Sequence, residues 1–341
     1  IRSSSICFLM PAIERHWTWS RRYGGRFGLL FILIYCGVTV LFASLQRSMI
    51  YAARPGPVHA DPQWVESGRL KPVAIARQDG GVLNGWWTKA VASPASKNSS
   101  NGSTDTAESK GLVILFPGNA GDRSGRIPIL DDFNRCGWDA LIFDYRGYAD
   151  NPGTPSESAF ASDARTIWDF ATGTLGYSAG KIVLAGQSLG GGVATRLAWD
   201  LKQEGISPAG LILRATFTSL PDVGSRMYPW LPVRWLMIDR YPSIDRIGEL
   251  TCPILIIHGR LDTITPLSHG EALFAAAPER STSGVPKTFI EIPNCGHNDL
   301  QLLAAEQLHR AHQTFFSKVL AARSMTHNST QEANSEEREL E

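Results

Sequence analysis

Three short apolar runs in this chain each end in a different polar residue, and those three residues together can carry acyl transfer through a covalent serine. The first is Lys181-Ile-Val-Leu-Ala-Gly-Gln-Ser-Leu-Gly-Gly-Gly192, an apolar run that passes straight into G-x-S-x-G. A serine hydroxyl attacks a carbonyl only when a base takes its proton and the backbone presents it. Apolar Val193, Leu197 and Leu201 follow at helical spacing, so the pattern predicts strand, sharp turn, helix, with Ser188 on the turn. Gly186 and Gly190 flank it because a side chain there would collide across such a turn. The second run, Pro253–Ile257, leads to Asp262, and the third, Lys287–Ile292, leads to His297. Nucleophile, acid and base in the order Ser188, Asp262, His297 differ from the orders of the other common serine-hydrolase triads. In that scheme His297 takes the serine proton and later returns it to the leaving group, while Asp262 fixes the imidazole tautomer.

Other acids and bases fit less well. Asp144 also follows a strand-like run, but it precedes the nucleophile, and Asp144-Tyr-Arg-Gly-Tyr148 reads as a braced turn. Asp299 lies two residues from His297, too close to orient that ring, and suits a helix start. His258 closes its strand and reads as structural. A tetrahedral intermediate needs two N–H groups aimed at its oxyanion. Leu189, directly after the nucleophile, is expected to supply one. The glycine-bearing loop Pro117-Gly-Asn-Ala-Gly121 is expected to supply the other, from the N–H of Asn119.

With these residues in place, the chain resembles the membrane-anchored α/β-hydrolases of the serine-aminopeptidase-like, H-G-N-A-G type. The matching pieces are P-G-N-A-G at 117–121, D-Y-R-G-Y at 144–148, G-T-P-S-E at 153–157, G-Q-S-L-G-G at 186–191, T-F-T-S-L-P-D at 216–222, H-G-R-L-D at 258–262 and G-H-N-D-L at 296–300. The resemblance implies an α/β fold with a mostly parallel eight-stranded sheet flanked by helices. It also implies hydrolysis of an ester, thioester or amide, with no cofactor. Acyl transfer from the same acyl-serine is the alternative activity, and a membrane-tethered binding protein is the alternative outside catalysis. One departure stands out: where the family usually has His-Gly, this chain has Phe116-Pro117-Gly118. The family's histidine would help hold the oxyanion loop by hydrogen bonding.

The elements that must position these residues fill most of the chain. Of its 341 residues, 71–322 read as one α/β-hydrolase domain, long enough for a large single core. A net charge of +1 gives no pull toward nucleic acid. Phe27–Leu45 is a run of 19 residues without a charge. As a helix it is about 28 Å long, close to the hydrocarbon thickness of a bilayer. Residues 1–26 are basic before it (Arg15, Arg21, Arg22, Arg26), so the expected orientation keeps the N-terminus in the cytoplasm and the hydrolase outside. Residues 46–70 read as a juxtamembrane connector, 93–110 as a flexible polar loop and 323–341 as a disordered acidic tail.

Three further readings concern side chains. Phe217, Met227, Trp230 and Trp235 are a candidate apolar wall for a lipid-like acyl chain, set against plain packing of that segment on the sheet. His309 and His312 share a helix face at i, i+3, but without an apparent third ligand no metal site is expected. Cys252 begins one strand and Cys295 follows the end of the next, at opposite ends of a parallel pair, so no disulfide joins them.

Overall fold

The computed structural model describes residues 11–91 and 109–339, with side chains over 26–91 and 109–325. Two compact units divide at Met49 and Ile50. The first is most of a long helix, α1 (Pro11–Ile50), whose stretch Arg26–Ile50 contains an 18-residue window of mean hydropathy 2.4. It is long and apolar enough to cross a membrane. The expected polar loop at 93–110, with the sequons at Asn98 and Asn101, falls almost wholly outside the described residues.

The second unit is built on one eight-stranded sheet. Its strands are β1 (Leu70–Ala76), β2 (Val82–Thr88), β3 (Leu112–Phe116), β4 (Asp139–Phe143), β5 (Ile182–Gln187), β6 (Gly210–Arg214), β7 (Ile254–Gly259) and β8 (Thr288–Ile292). The spatial order is β1-β2-β4-β3-β5-β6-β7-β8. β1 and β2 pair antiparallel with each other, and β2 pairs antiparallel with β4; all other pairs are parallel. β3, β4, β6 and β7 are buried at every position, which is why they read as continuous apolar runs rather than alternating ones.

Helices cover both faces. In chain order they are α2 (Pro62–Glu66), α3 (Ile127–Arg135), α4 (Glu157–Asp169), α5 (Leu189–Gln203), α6 (Leu220–Met227), α7 (Val233–Leu236), α8 (Ser243–Ile247), α9 (Leu267–Ala276), α10 (Leu300–Leu303) and α11 (Ala305–Glu339). One core layer holds Leu184, Val193, Leu197 and Phe160; the other holds Leu130, Phe133, Leu308 and Phe316. Because the central strands are parallel, their carboxyl ends open on one edge, where crossovers deliver polar residues.

Within the connector at 46–70, Tyr51 is buried, and Arg54 to Gly56 pair with Ala149. The segment expected as a disordered tail is helical as far as Glu339. Its Glu, Gln and Ala residues are good helix formers and simply extend α11.

A buried ion pair ties the loop after β3 to the loop after β4. Arg123 donates from Nη1 to Asp144 Oδ2 at 2.6 Å, and binds Asp150 through Nη1 and Nη2 at 2.6 and 2.7 Å. Burial pushes the Asp144 carboxyl up to about 6, against the pull of Arg123. Asp144 therefore binds a proton more readily folded than unfolded. Its contribution favours the fold at low pH and is lost as the pH rises from about 4 through the folded value. Arg123→Met should destabilise the domain by about 3–5 kcal/mol near neutral pH, since it leaves a carboxylate buried and unpaired. The loss, read from urea unfolding, should shrink below the folded value of Asp144, where that carboxyl can be neutral.

Candidate active site

β5 delivers Ser188 into a turn it could not otherwise make. Ser188 has φ 51° and ψ −116°, a left-handed backbone that L residues avoid. The turn closes only because its glycines carry no side chain. A Cβ on Gly190 would lie 2.0 Å from the Phe116 carbonyl oxygen, and one on Gly186 would lie 2.3 Å from the Gly190 carbonyl oxygen. The backbone is pinned from β6 and beyond. Ser188 N–H donates to Arg214 O at 2.9 Å, and Thr216 Oγ1 donates to Ser188 O at 2.8 Å.

The structure brings together the three residues singled out by order and spacing. His297 Nδ1 lies 2.7 Å from Asp262 Oδ2, and His297 Nε2 lies 2.9 Å from Ser188 Oγ. A carboxylate only accepts, so Nδ1 carries the proton and Nε2 is free to accept from the serine hydroxyl. Asp262 is buried on the loop after β7 and also accepts from Ile264 N–H, Thr265 N–H and Thr265 Oγ1 at 2.8–2.9 Å. Burial alone would raise its pKa. Hydrogen bonds from His258 and His297, the imidazole charge and the Thr265 N–H more than offset that and hold it well below the usual carboxylate range.

Two partners of Asp262 were not assigned from sequence. His258 is fully buried, donates from Nε2 to Thr265 O at 2.7 Å and sits 3.5 Å from Asp262 Oδ2. Thr265 Oγ1 stands 3.0 Å from His297 Nδ1. Only the spacing H-x-x-x-D-x-x-T, running from the end of β7 into the loop after it, hinted at this. Asp299 turns away from the imidazole and accepts from Gly296 N–H at 2.6 Å.

On the opposite side of Ser188 lies the loop after β3. A Cβ on Gly118 would stand 3.7 Å from the Ser188 Cβ, so this loop borders Ser188. Leu189 is the first residue of α5, where an N–H has no partner within its helix. Phe116 is buried in the core and makes no polar contribution. The loop is instead held by tyrosines: Tyr145 OH donates to Pro117 O at 2.9 Å, and Tyr148 OH donates to Asn119 Oδ1 at 2.6 Å.

The four apolar wall candidates do not share one surface. Phe217 is buried in the core, whereas Met227, Trp230 and Trp235 are 62%, 50% and 90% exposed. The break has a physical origin: Phe217 follows a central strand, while α6 and α7 are short and bury only Pro221, Gly224 and Val233.

Among the described residues, Asp132, Cys136 and His309 bring three donor atoms within 4.8 Å of one another, the third ligand not apparent in sequence. Hydrogen bonds already satisfy them. Asp132 accepts from His309 Nδ1 at 2.6 Å and from His312 Nδ1 at 2.5 Å, tying α3 to α11. Burial and the Asp132 charge push the Cys136 thiol up to about 12, so at neutral pH it is protonated.

The sequence matches the family model for serine aminopeptidase S33 hydrolases over residues 107–245. It is 38% identical over 290 residues to the Mycobacterium tuberculosis protein Rv2307c, covering 84% of this chain and 92% of that one. The chain belongs to the α/β-hydrolase family. This α/β-hydrolase is also 32% identical over 195 residues to the lysophosphatidylserine lipase ABHD12 of Danio rerio, covering 52% of this chain and 50% of that protein. In fold it is similar to the Pyrococcus furiosus esterase Pf2001, with a TM-score of 0.59 at 17% identity over 78% of this chain and 99% of the esterase.

Asp262→Asn should lower kcat by about 10⁴, the cost of losing the tautomer lock in a triad of this type, without unfolding the domain. Because its carboxyl is held so low, Asp262 should add no ionisation to the profile of kcat/KM between about pH 4 and pH 9. Asp262→Asn turning over at the wild-type rate would contradict the assignment.

Proposed function

We propose that this α/β-hydrolase is a membrane-anchored serine hydrolase that cleaves the carboxylic ester or thioester of a lipid-like acyl substrate. The observation that carries the reading is the unbroken hydrogen-bond relay Asp262–His297–Ser188 on a strained strand-to-helix turn. Ser188 Oγ attacks the acyl carbon while His297 Nε2 takes its proton, and charge builds on the carbonyl oxygen. That oxygen is received by the N–H groups of Leu189 and Asn119. The tetrahedral adduct collapses to acyl-serine as His297 hands the proton to the departing alcohol or thiol. Water, deprotonated by His297, then releases the acid and restores Ser188.

Two features support a lipid-like substrate. Curated relatives named lysophosphatidylserine lipases match across about half of their length. Exposed apolar side chains also stand on loops and short helices that follow β6, β7 and β8: Met227, Trp235, Leu261, Ile264, Leu302 and Leu303. α1 would hold the domain at the bilayer, with the basic flank in the cytoplasm and the hydrolase outside.

Rates on p-nitrophenyl esters test the acyl preference. kcat/KM should climb from acetate to octanoate by about tenfold or more, since each added methylene buries apolar surface worth about 0.8 kcal/mol at most. A flat or falling series would remove the lipid-like substrate while leaving the hydrolase reading intact.

A further inference from the structure

The residues that leave the apolar helix are woven into the oxyanion side of the site. Ile50 ends α1 and is the first residue of the hydrolase unit. Its carbonyl oxygen accepts from Asn119 Nδ2 at 2.6 Å. Ala52 N–H approaches Asn119 Oδ1 at 3.4 Å, and Tyr148 OH donates to that same oxygen at 2.6 Å. Both ends of the Asn119 carboxamide are therefore held, one of them by the chain leaving the helix.

Tyr51, between these contacts, is only 5% exposed. Its ring meets Phe160 edge-on at 5.3 Å, and Phe160 stacks on Tyr145 at 4.2 Å. Tyr145 in turn holds the Pro117 carbonyl. The Tyr51 hydroxyl shares a 3.0 Å hydrogen bond with that of Tyr241. Tyr241 packs on the nucleophile helix, close enough that a Cβ on Gly192 would lie 3.0 Å from its own. Further on, Ala149 N–H donates to Arg54 O at 3.0 Å, and Gly56 N–H donates to Ala149 O at 2.8 Å. Residues 50–56 thus touch the loop at 117–121, the loop at 145–149 and, through Tyr241, α5.

A plain tether needs none of this order, and ordering a residue costs about 1–2 kcal/mol of backbone entropy. Neither Phe116 nor Pro117 has a side chain that can hydrogen-bond the loop. We infer that Ile50, Tyr51 and the Asn119 side chain are positioning residues: the exit of the anchor sets the loop that receives the oxyanion. The inference rests on the hydrolase reading above, with 117–121 supplying one oxyanion donor. A donor must be in place before charge develops, and a misplacement of about 1 Å can cost about 10²-fold.

The test uses the full chain in detergent micelles, with Asn119→Ala, Tyr51→Ala and Tyr51→Phe beside wild type. Phe315→Ala, at a residue buried in the other core layer, serves as a stability control. Asn119→Ala and Tyr51→Ala should lower kcat on p-nitrophenyl butyrate by about 10–100-fold with KM within about threefold. Phosphonylation by a fluorophosphonate, which builds the same oxyanion, should slow in parallel. Tyr51→Phe, which keeps the ring, should recover most of the rate. Amide exchange over 117–121 should quicken by about tenfold in Tyr51→Ala. Wild-type kcat and exchange in both alanine variants, or losses matched by Phe315→Ala at the same Tm, would overturn the inference. An inactive, unlabelled wild type whose loop still loosens in Tyr51→Ala would refute the hydrolase reading and leave the positioning contact standing.

Discussion

The turn at Ser188 is the constraint on which the rest of the site depends. A non-glycine residue at φ 51° and ψ −116° costs about 1–3 kcal/mol and persists only where its surroundings over-determine it. Here three elements do so. Gly190 seats against the Phe116 carbonyl at the end of β3, Gly191 against the Thr216 side chain beyond β6, and Ser188 N–H bonds to the last residue of β6. The strain thus fixes three neighbouring strand ends relative to one another. Because β3, β5 and β6 are adjacent and parallel, those ends converge on Ser188.

The two flanks of Ser188 are held by different physics. On the acid side, a buried carboxylate is kept ionised by hydrogen bonds from Ile264, Thr265 and His297, so its charge is available to the imidazole. On the oxyanion side, restraint comes from neutral tyrosine and asparagine contacts, packed aromatic rings and the chain emerging from α1. The Arg123 pair with Asp144 and Asp150 joins the loops beyond β3 and β4 behind that flank. Charge stabilises one half of the site, and shape stabilises the other.

Much of this was legible in sequence where short-range rules operate. Strand cores such as Val183–Ala185 and Ile254–Ile257 are apolar because both sheet faces are covered, and glycine spacing marked the turn at Ser188. The order Ser188, Asp262, His297 then follows from crossover topology. What escaped depends on contacts distant in sequence. Nothing local in Tyr51 announces a partner 190 residues away at Tyr241, and the Asn119 carboxamide gives no sign that it closes on Ile50. The segment 217–235 shows the same limit. Aromatic composition does not say which residues follow a buried strand, as Phe217 does, and which crown a short helix, as Trp235 does. Likewise His309 and His312 met their carboxylate partner, Asp132, only through the packing of α11 on α3.

The central claim is that Ser188 becomes covalently acylated during turnover. Rapid acid quenching with a p-nitrophenyl ester, followed by peptide mass spectrometry, reads this directly. An acyl group should appear on the peptide carrying Ser188, build up within the first turnover and be lost in His297→Ala. Turnover at the wild-type rate by Ser188→Ala, or an acyl group found only on another residue, would contradict the account.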